Sequence, residues 1–316
     1  MFPPRRPTGG DAPIRSTDND AAVARVSAVK KGYCEDPFIN HFVPRAHFLP
    51  PRPPLINIGT YVRSAGIDIL VNQWLSMASQ SSQRCQIVSL GAGSDTRFWR
   101  IAAHSAGPSK EHLEVYVEMD FPEITTKKAM AIRKSKELVQ GLGDPADVML
   151  AQGGTALHSP RYHLLPVDLR LDPSETLEPA LCNSSNPDVS AILNPSLPTL
   201  VLFECVLVYM SSSSSLRLLE WFVNLSKRSE NGVLGCVIYE MFGLGDAFGR
   251  VMIENLKERN ISLPGAELFP TIASVPIRFL DAGFSAGRAL TLKEIRKNYI
   301  SAEELERQNI QFGILG

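Results

Sequence analysis

The chain has 316 residues, 44% of them hydrophobic, and a formal net charge of −1, which suits one large α/β domain with additions and leaves neither a nucleic-acid footprint nor an acidic tail. No run of about 18 apolar residues is present to span a membrane, and the opening MFPPRRPTGG lacks the apolar core of a secretory signal. Five cysteines (Cys34, Cys85, Cys182, Cys205, Cys236) have no CxxC spacing, which argues for reduced thiols in a cytosolic or nuclear setting and against a disulfide framework or a zinc site.

In chain order, residues 1–18 are rich in Pro, Gly, Arg and Asp and are expected to be disordered. The remainder, 19–316, is expected to form a single domain: a helical section over 19–80 that lies across the sheet as a lid, then an α/β core with insertions over 81–316. DAAVARVSAVKK (20–31) has a helical pattern, with Thr17 to Asn19 as candidate caps. Prolines 44, 50, 51, 53 and 54 mark a loop, and Asn57 to Leu75 reads as a helix with Ile67, Ile69, Leu70, Val71, Trp74 and Leu75 on its apolar stripe. Ile87, Val88 and Leu90 form a short buried strand, and EVYVEM (114–119) alternates into Asp120 as a second. Phe121 to Gln140 reads as one Lys-rich helix, RYHLLPVDL (161–169) as a strand ending at Asp168, and Asn183 to Pro187 as a surface turn. LVLF (200–203) is the continuous apolar run of a central parallel strand and is followed by Glu204. A helix from Ser211 through Trp221, a strand over Val233–Tyr239 and an amphipathic helix over Asp246–Arg259, with Phe248, Val251, Met252 and Leu256 on one face, complete the set. Strands alternating with helices mean a mostly parallel sheet.

The chemistry gathers at QIVSLGAGSDTRFWR (86–100), a strand that stops at Gly91-Ala92-Gly93 before a helix-like start. Glycines let the backbone bend and approach a ligand, and the helix start adds free N–H groups. A dinucleotide fingerprint wants a third glycine where this chain has Thr96; Gly-x-Gly-x-Asp is the turn that S-adenosylmethionine-dependent methyltransferases usually carry. Asp120 lies 27 residues after Gly93, against roughly 20 for a ribose-binding acid. Asp95, in the glycine turn, and Asp120, Asp168 and Glu204, at strand ends, are the candidate acids, although any one of them alone also reads as a helix cap. The amino group, ribose diol and adenine amine of S-adenosylmethionine are all donors, so acidic strand ends suit it better than a phosphate-bearing ligand. The six histidines (41, 47, 104, 112, 158, 163) read as surface or structural.

Seven pieces in order carry a specific resemblance: GYCEDPFINHFV (32–43), INIGTYVR (56–63), IVSLGAGSDTRFWR (87–100), EMDFPEI (118–124), VDL (167–169), LPTLVLFECVLVYM (197–210) and GDAFGRVMIENL (245–256). The chain resembles the leucine carboxyl methyltransferases, which methylate the C-terminal leucine carboxylate of the protein phosphatase 2A catalytic subunit. The resemblance implies a Rossmann-like S-adenosylmethionine-dependent methyltransferase fold with an N-terminal helical lid. It also implies S-adenosylmethionine as cofactor and the phosphatase tail as substrate, with no nucleic-acid or membrane partner and a monomeric state. By position it assigns Arg25, Arg63, Gly91, Asp120, Asp168, Leu169 and Glu204 to the cofactor: Gly91 at the aminoacyl end, Asp120 at the ribose, Asp168 and Leu169 at the adenine, Glu204 at the amino group. Arg63 is assigned to a carboxylate, either the cofactor's or the substrate's, and Tyr209 to the substrate carboxylate.

Two departures from the family are visible. Ile58 stands where the family commonly has Arg, so weaker contact with the substrate tail is expected. Past the region matching Leu290 to Glu306 the family continues into a helix and a final apolar strand, whereas QNIQFGILG (308–316) has no recognisable strand. A truncated or mis-spliced product is therefore expected, with unpaired backbone on the sheet. Competing readings are a cofactor- or phosphatase-binding protein without turnover, the related tRNA-modifying methyltransferase branch, and, least of all, a dehydrogenase.

Overall fold

A computed structural model describes residues 9–103, 109–182 and 191–312. His104, the turn at Asn183–Pro187, residues 1–8 and the closing 313–316 lie outside the described residues. Seven strands, β1 (Cys85–Leu90), β2 (Leu113–Asp120), β3 (Met149–Ala151), β4 (Ala156–His158), β5 (Tyr162–Pro166), β6 (Thr199–Glu204) and β7 (Leu234–Tyr239), make one sheet in the order β3-β4-β5-β2-β1-β6-β7. The five from β5 to β7 pair in parallel, and β3 and β4 add an antiparallel margin beyond β5. This is a Rossmann-like sheet whose strand order reverses between β1 and β6, the place where such folds hold ligands.

The central strands are apolar on both faces because both are covered. Ile87, Leu200 and Leu202 point into one core with Leu75, Phe98, Trp99 and Ile132. Val88, Leu90, Val201 and Phe203 point into the other with Leu218, Leu219 and Phe222. β1 is buried along its whole length. β7 is partly exposed throughout: β6 is its neighbour, and among the described residues no strand pairs with its other edge.

Helix α1 (Ala12–Lys30) and the first turns of α2 (Pro54–Gln80) lie over the carboxyl ends of the strands, and the rest of α2 packs on one face of the sheet. α1 begins at Ala12, with Pro13 in its first turn, so the disorder expected through residue 18 is corrected for 12–18, which are helical. Local sequence understated it because this half of the helix is held by partners far along the chain. α2 runs 27 residues and buries Val62, Ile67, Val71, Leu75 and Ala78, while Leu70, expected on the stripe, is exposed. After β1 comes α3 (Arg97–Ala103). The single helix expected over 121–140 is two, α4 (Pro122–Lys134) and α5 (Lys136–Leu142), broken at extended Ser135, whose side chain caps Leu138 N–H. α6 (Ser212–Ser226) is capped by Ser211, which accepts from Ser214 N–H. α7 (Ala247–Glu258) is capped by Asp246, which accepts from Gly249 N–H. Both caps satisfy helix-terminal donors locally. Residues 302–312 are helical, continuing the pattern that starts at Ser301.

Candidate cofactor and substrate cavity

The carboxyl ends of β1, β2, β5, β6 and β7 open into a cavity of about 610 Å³ roofed by α1 and α2. Its floor is the glycine turn. Gly91 and Ala92 donate to the Met119 carbonyl at 2.8 and 3.2 Å, pulling the chain down against β2. Gly91 and Gly93 sit at φ +61 and +49, in the left-handed region. A side chain there would also collide: a Cβ on Gly91 would lie 2.6 Å from Val206 Cγ2, and one on Gly93 2.6 Å from Asp18 Oδ1. The glycines are required twice over, by conformation and by space.

Asp120 closes β2 and accepts from Gly93 N–H at 2.8 Å and Phe121 N–H at 2.7 Å. Burial pushes its carboxyl up to about 6 against those two donors. Each oxygen keeps lone-pair capacity for a further donor. Asp168 does not end a strand, as expected, but lies two residues past β5. It accepts from Arg170 N–H, Nε and Nη2 at 3.1, 2.8 and 2.7 Å. The Arg170 fork also grips Asp11, immediately ahead of α1, at 2.7 and 2.8 Å. Leu169 beside it is buried.

At the opposite end Glu204 finishes β6. Arg63, from α2, donates to it through Nε at 2.5 Å, and Arg97 Nη2 stands 3.5 Å from its other oxygen. Burial would raise the Glu204 carboxyl, but the two guanidinium groups outweigh it and hold it low. The Arg63 guanidinium lies 4.5 Å from the Tyr239 ring centroid, so it is sandwiched between a carboxylate and an aromatic face. Tyr209, on the turn after β6, faces the same space, and burial pushes its hydroxyl up to about 12. Arg25 lines the cavity but spends Nη1 on Ser64 Oγ at 2.9 Å, with Asp36 at 3.6 Å.

All eight residues assigned by position therefore surround one cavity. Asp95, the fourth candidate acid, also lines the cavity but is turned to Arg97. It pairs with Arg97 through both side chain and backbone, and the Arg97 and Arg100 charges hold its carboxyl low despite burial. Ile58 is not among the lining residues, while Leu55, Ile56, Gly59, Thr60 and Arg63 are. The helical period turns position 58 away from the cavity.

Sequence reasoning missed three contributors. Arg97 is 2% exposed and meets Asp95, Asp68 and Glu204; its only signal was its place inside GSDTRFWR. Asp18 accepts from Ser94 N–H at 2.7 Å and Ser94 Oγ at 3.0 Å, laying α1 across the glycine turn. Arg170, next but one to Asp168, gave no signal of its own.

The arrangement offers carboxylates and backbone groups to a donor-rich ligand at one end, and two arginines and a tyrosine to anionic groups at the other. Among the described residues no group of three or more His, Cys, Asp or Glu side chains is placed to hold a metal, and no helix is long and apolar enough to cross a membrane.

Comparison with known proteins agrees with this geometry. The family profile described as leucine carboxyl methyltransferase matches residues 14–223. Leucine carboxyl methyltransferase 1 of Cryptococcus neoformans var. neoformans serotype D is 41% identical over 339 residues, spanning 97% of this chain and 90% of that protein. The Aspergillus fumigatus protein of the same name is 37% identical, spanning 94% of this chain and 76% of its own length. The Bos taurus protein is 33% identical, spanning 96% and 84%.

Proposed function

Because the chain belongs to the leucine carboxyl methyltransferase family, we propose that it is an S-adenosylmethionine-dependent enzyme that methyl-esterifies the C-terminal leucine carboxylate of the protein phosphatase 2A catalytic subunit, acting in the cytosol or nucleus. What supports this reading most is that the eight residues assigned to cofactor and substrate line a single cavity at the strand-order reversal. The donor set fits the cofactor. Asp120 is a half-buried acceptor for a ribose diol, Glu204 is an anion near a site for an amino group, and the glycine turn brings bare backbone to the cavity floor.

When bound, S-adenosylmethionine supplies a methyl group on a positively charged sulfur, which becomes a neutral thioether once a carboxylate oxygen has taken the methyl. A terminal carboxyl group has a pKa of about 3.3–3.7 and is already ionised at neutral pH, so the chain needs no general base. Its task is orientation and exclusion of water. Arg63 and Tyr209 face the cavity where a carboxylate would be held, the guanidinium by a bidentate fork and the phenol by one donor. α1 closes over the opening.

The test is transfer of labelled methyl from S-adenosylmethionine to purified phosphatase 2A, beside phosphatase lacking its terminal leucine. Base-labile label on the intact protein alone is the expected result. Cofactor binding by calorimetry with no label on either protein would replace this reading with that of a binding protein.

A further inference from the structure

The turn that carries Tyr209 into the cavity is strained and has a dedicated anchor. Cys205, immediately after β6, sits at φ +59, which costs a side-chain-bearing residue of order 1 kcal/mol and persists only where the surroundings enforce it. The enforcing group is Glu240, partly buried just past β7. Its Oε1 accepts from Val206 N–H at 3.2 Å and Leu207 N–H at 2.7 Å, and its Oε2 accepts from Val208 N–H at 3.1 Å. Three consecutive backbone donors thus converge on one carboxylate from the neighbouring strand. From the other side, Gly265 packs so closely that a Cβ there would lie 2.0 Å from the Leu207 carbonyl oxygen. Buried Arg278 donates to the Gly265 carbonyl, and its positive charge acts on Glu240 against the effect of burial. The turn is clamped between the two.

The clamp reaches both halves of the cavity. Val206 is the residue whose Cγ2 would meet a Cβ on Gly91, so its position sets the height of the roof over the glycine turn. The Val206 carbonyl accepts from Tyr209 N–H at 3.1 Å, which sets the Tyr209 backbone. We propose that Glu240 is a positioning residue for methyl transfer: by gathering the Val206, Leu207 and Val208 N–H groups it holds Val206 against the cofactor turn and Tyr209 toward the substrate carboxylate. The proposal rests on the reading given under Proposed function, and it touches neither ligand directly.

A protonated Glu240 keeps only one full acceptor oxygen for these donors. Burial pushes its carboxyl up to about 7. The other titratable groups interacting with it are Arg278, Cys205, Tyr209 and Tyr239, and burial raises the thiol and both phenols to about 12, away from that range. Glu118, also pushed up to about 7, lies elsewhere, against Lys128 and Tyr162, and is untouched by substitution at 240.

The experiment compares wild type with Glu240→Gln and Glu240→Asp on two readouts, kcat for the phosphatase tail with its pH profile, and S-adenosylmethionine affinity by calorimetry. An amide at 240 turns one N–H···O bond into a donor facing a donor, so Glu240→Gln is expected to lower kcat about tenfold to a hundredfold and weaken cofactor binding about tenfold. Its kcat profile is expected to lose a limb near pH 7 that wild type shows. Glu240→Asp, which keeps the charge on a shorter stem, is expected to recover part of kcat and to keep the limb. Unaltered kcat, profile and cofactor affinity in a folded Glu240→Gln variant would overturn the proposal, as would a fall in thermal stability with all three unaltered. If wild type transfers no methyl, the functional reading fails by itself, and the cofactor affinities still decide whether Glu240 positions the turn.

Discussion

The two walls of the cavity are built from the same kinds of residue and behave as opposites. The inner wall, at the ends of β1 and β6, is a web of charges centred on buried Arg97 and only partly reached by water. Arg97 joins Asp95, Asp68 and Glu204, Arg100 adds a second bond to Asp68, and Arg63 completes Glu204. The outer wall is α1. Its Arg15, Asp18 and Asp20, with Asp11 just ahead of its first turn, reach to Glu123 and Lys127 on α4, to Arg259 and to Arg170, on three separate stretches of chain. Its buried residues, Ala22, Val26, Ser27 and Ala28, all lie in the C-terminal half. Buried ion pairs are costly to break because a lone charge remains in an apolar place, whereas solvent-reached pairs exchange with water and contribute little each. The inner wall is therefore a fixed frame and the front half of α1 a part that can lift.

Replacing Arg97 with Leu tests the frame at its centre. It removes the ion-pair partner of Asp95, while Asp68 keeps Arg100 and Glu204 keeps Arg63, and a loss of about 3–5 kcal/mol is expected by urea denaturation; a loss below about 1 kcal/mol would mean that water already reaches these charges.

Acid tests the boundary between the walls. Asp120 is raised to about 6 from an ordinary 3.8, so between those values the folded chain holds a proton that the unfolded chain releases. This group's contribution to stability is accordingly greatest at low pH and declines as pH rises through that window. Cofactor affinity has the opposite sign, since the ionised form accepts from a diol: binding is expected to weaken by up to about tenfold per pH unit below 6. Calorimetry at several pH values checks this, and Asp120→Asn is expected to bind weakly with that slope gone.

The lid is expected to yield to a milder change. Arg170→Gln removes the Arg170 pairs to Asp11 and Asp168 and should cost no more than about 1 kcal/mol globally. Amide exchange of residues 12–18 should nonetheless rise well above that of residues 22–30, and equal exchange in the two halves would show that α1 moves as one piece. Smallest of all, Phe248 on α7 is 74% exposed, and Phe248→Ser is expected to change stability by less than about 0.5 kcal/mol in a thermal scan.

The same division governs what could be read ahead of the structure. A mostly parallel sheet followed from apolar runs alternating with helical stretches, whereas the strand order came from the structure. The caps at Ser211 and Asp246 also lay within reach of local pattern, since the bonding partners are three residues away. The cofactor turn was legible because its glycines answer a backbone demand. Family motifs then supplied the roles of Arg63, Asp168 and Tyr209, which spacing alone left open. The antiparallel pair β3 and β4 went unseen because three-residue strands carry too little alternation to register.

Sequence by itself determined the fold class, the position of the glycine turn and the acids that follow the strands, because each is set by interactions within a few residues or by a period along the chain. Tertiary structure alone decided that Asp95 turns to Arg97, that α1 starts at Ala12, that Arg170 links Asp168 to the lid, and that Glu240 gathers three N–H groups. Those choices depend on charges and donors brought together from positions up to 159 residues apart. Their free energy arises from shared burial, which no stretch of chain can express until its partner is beside it.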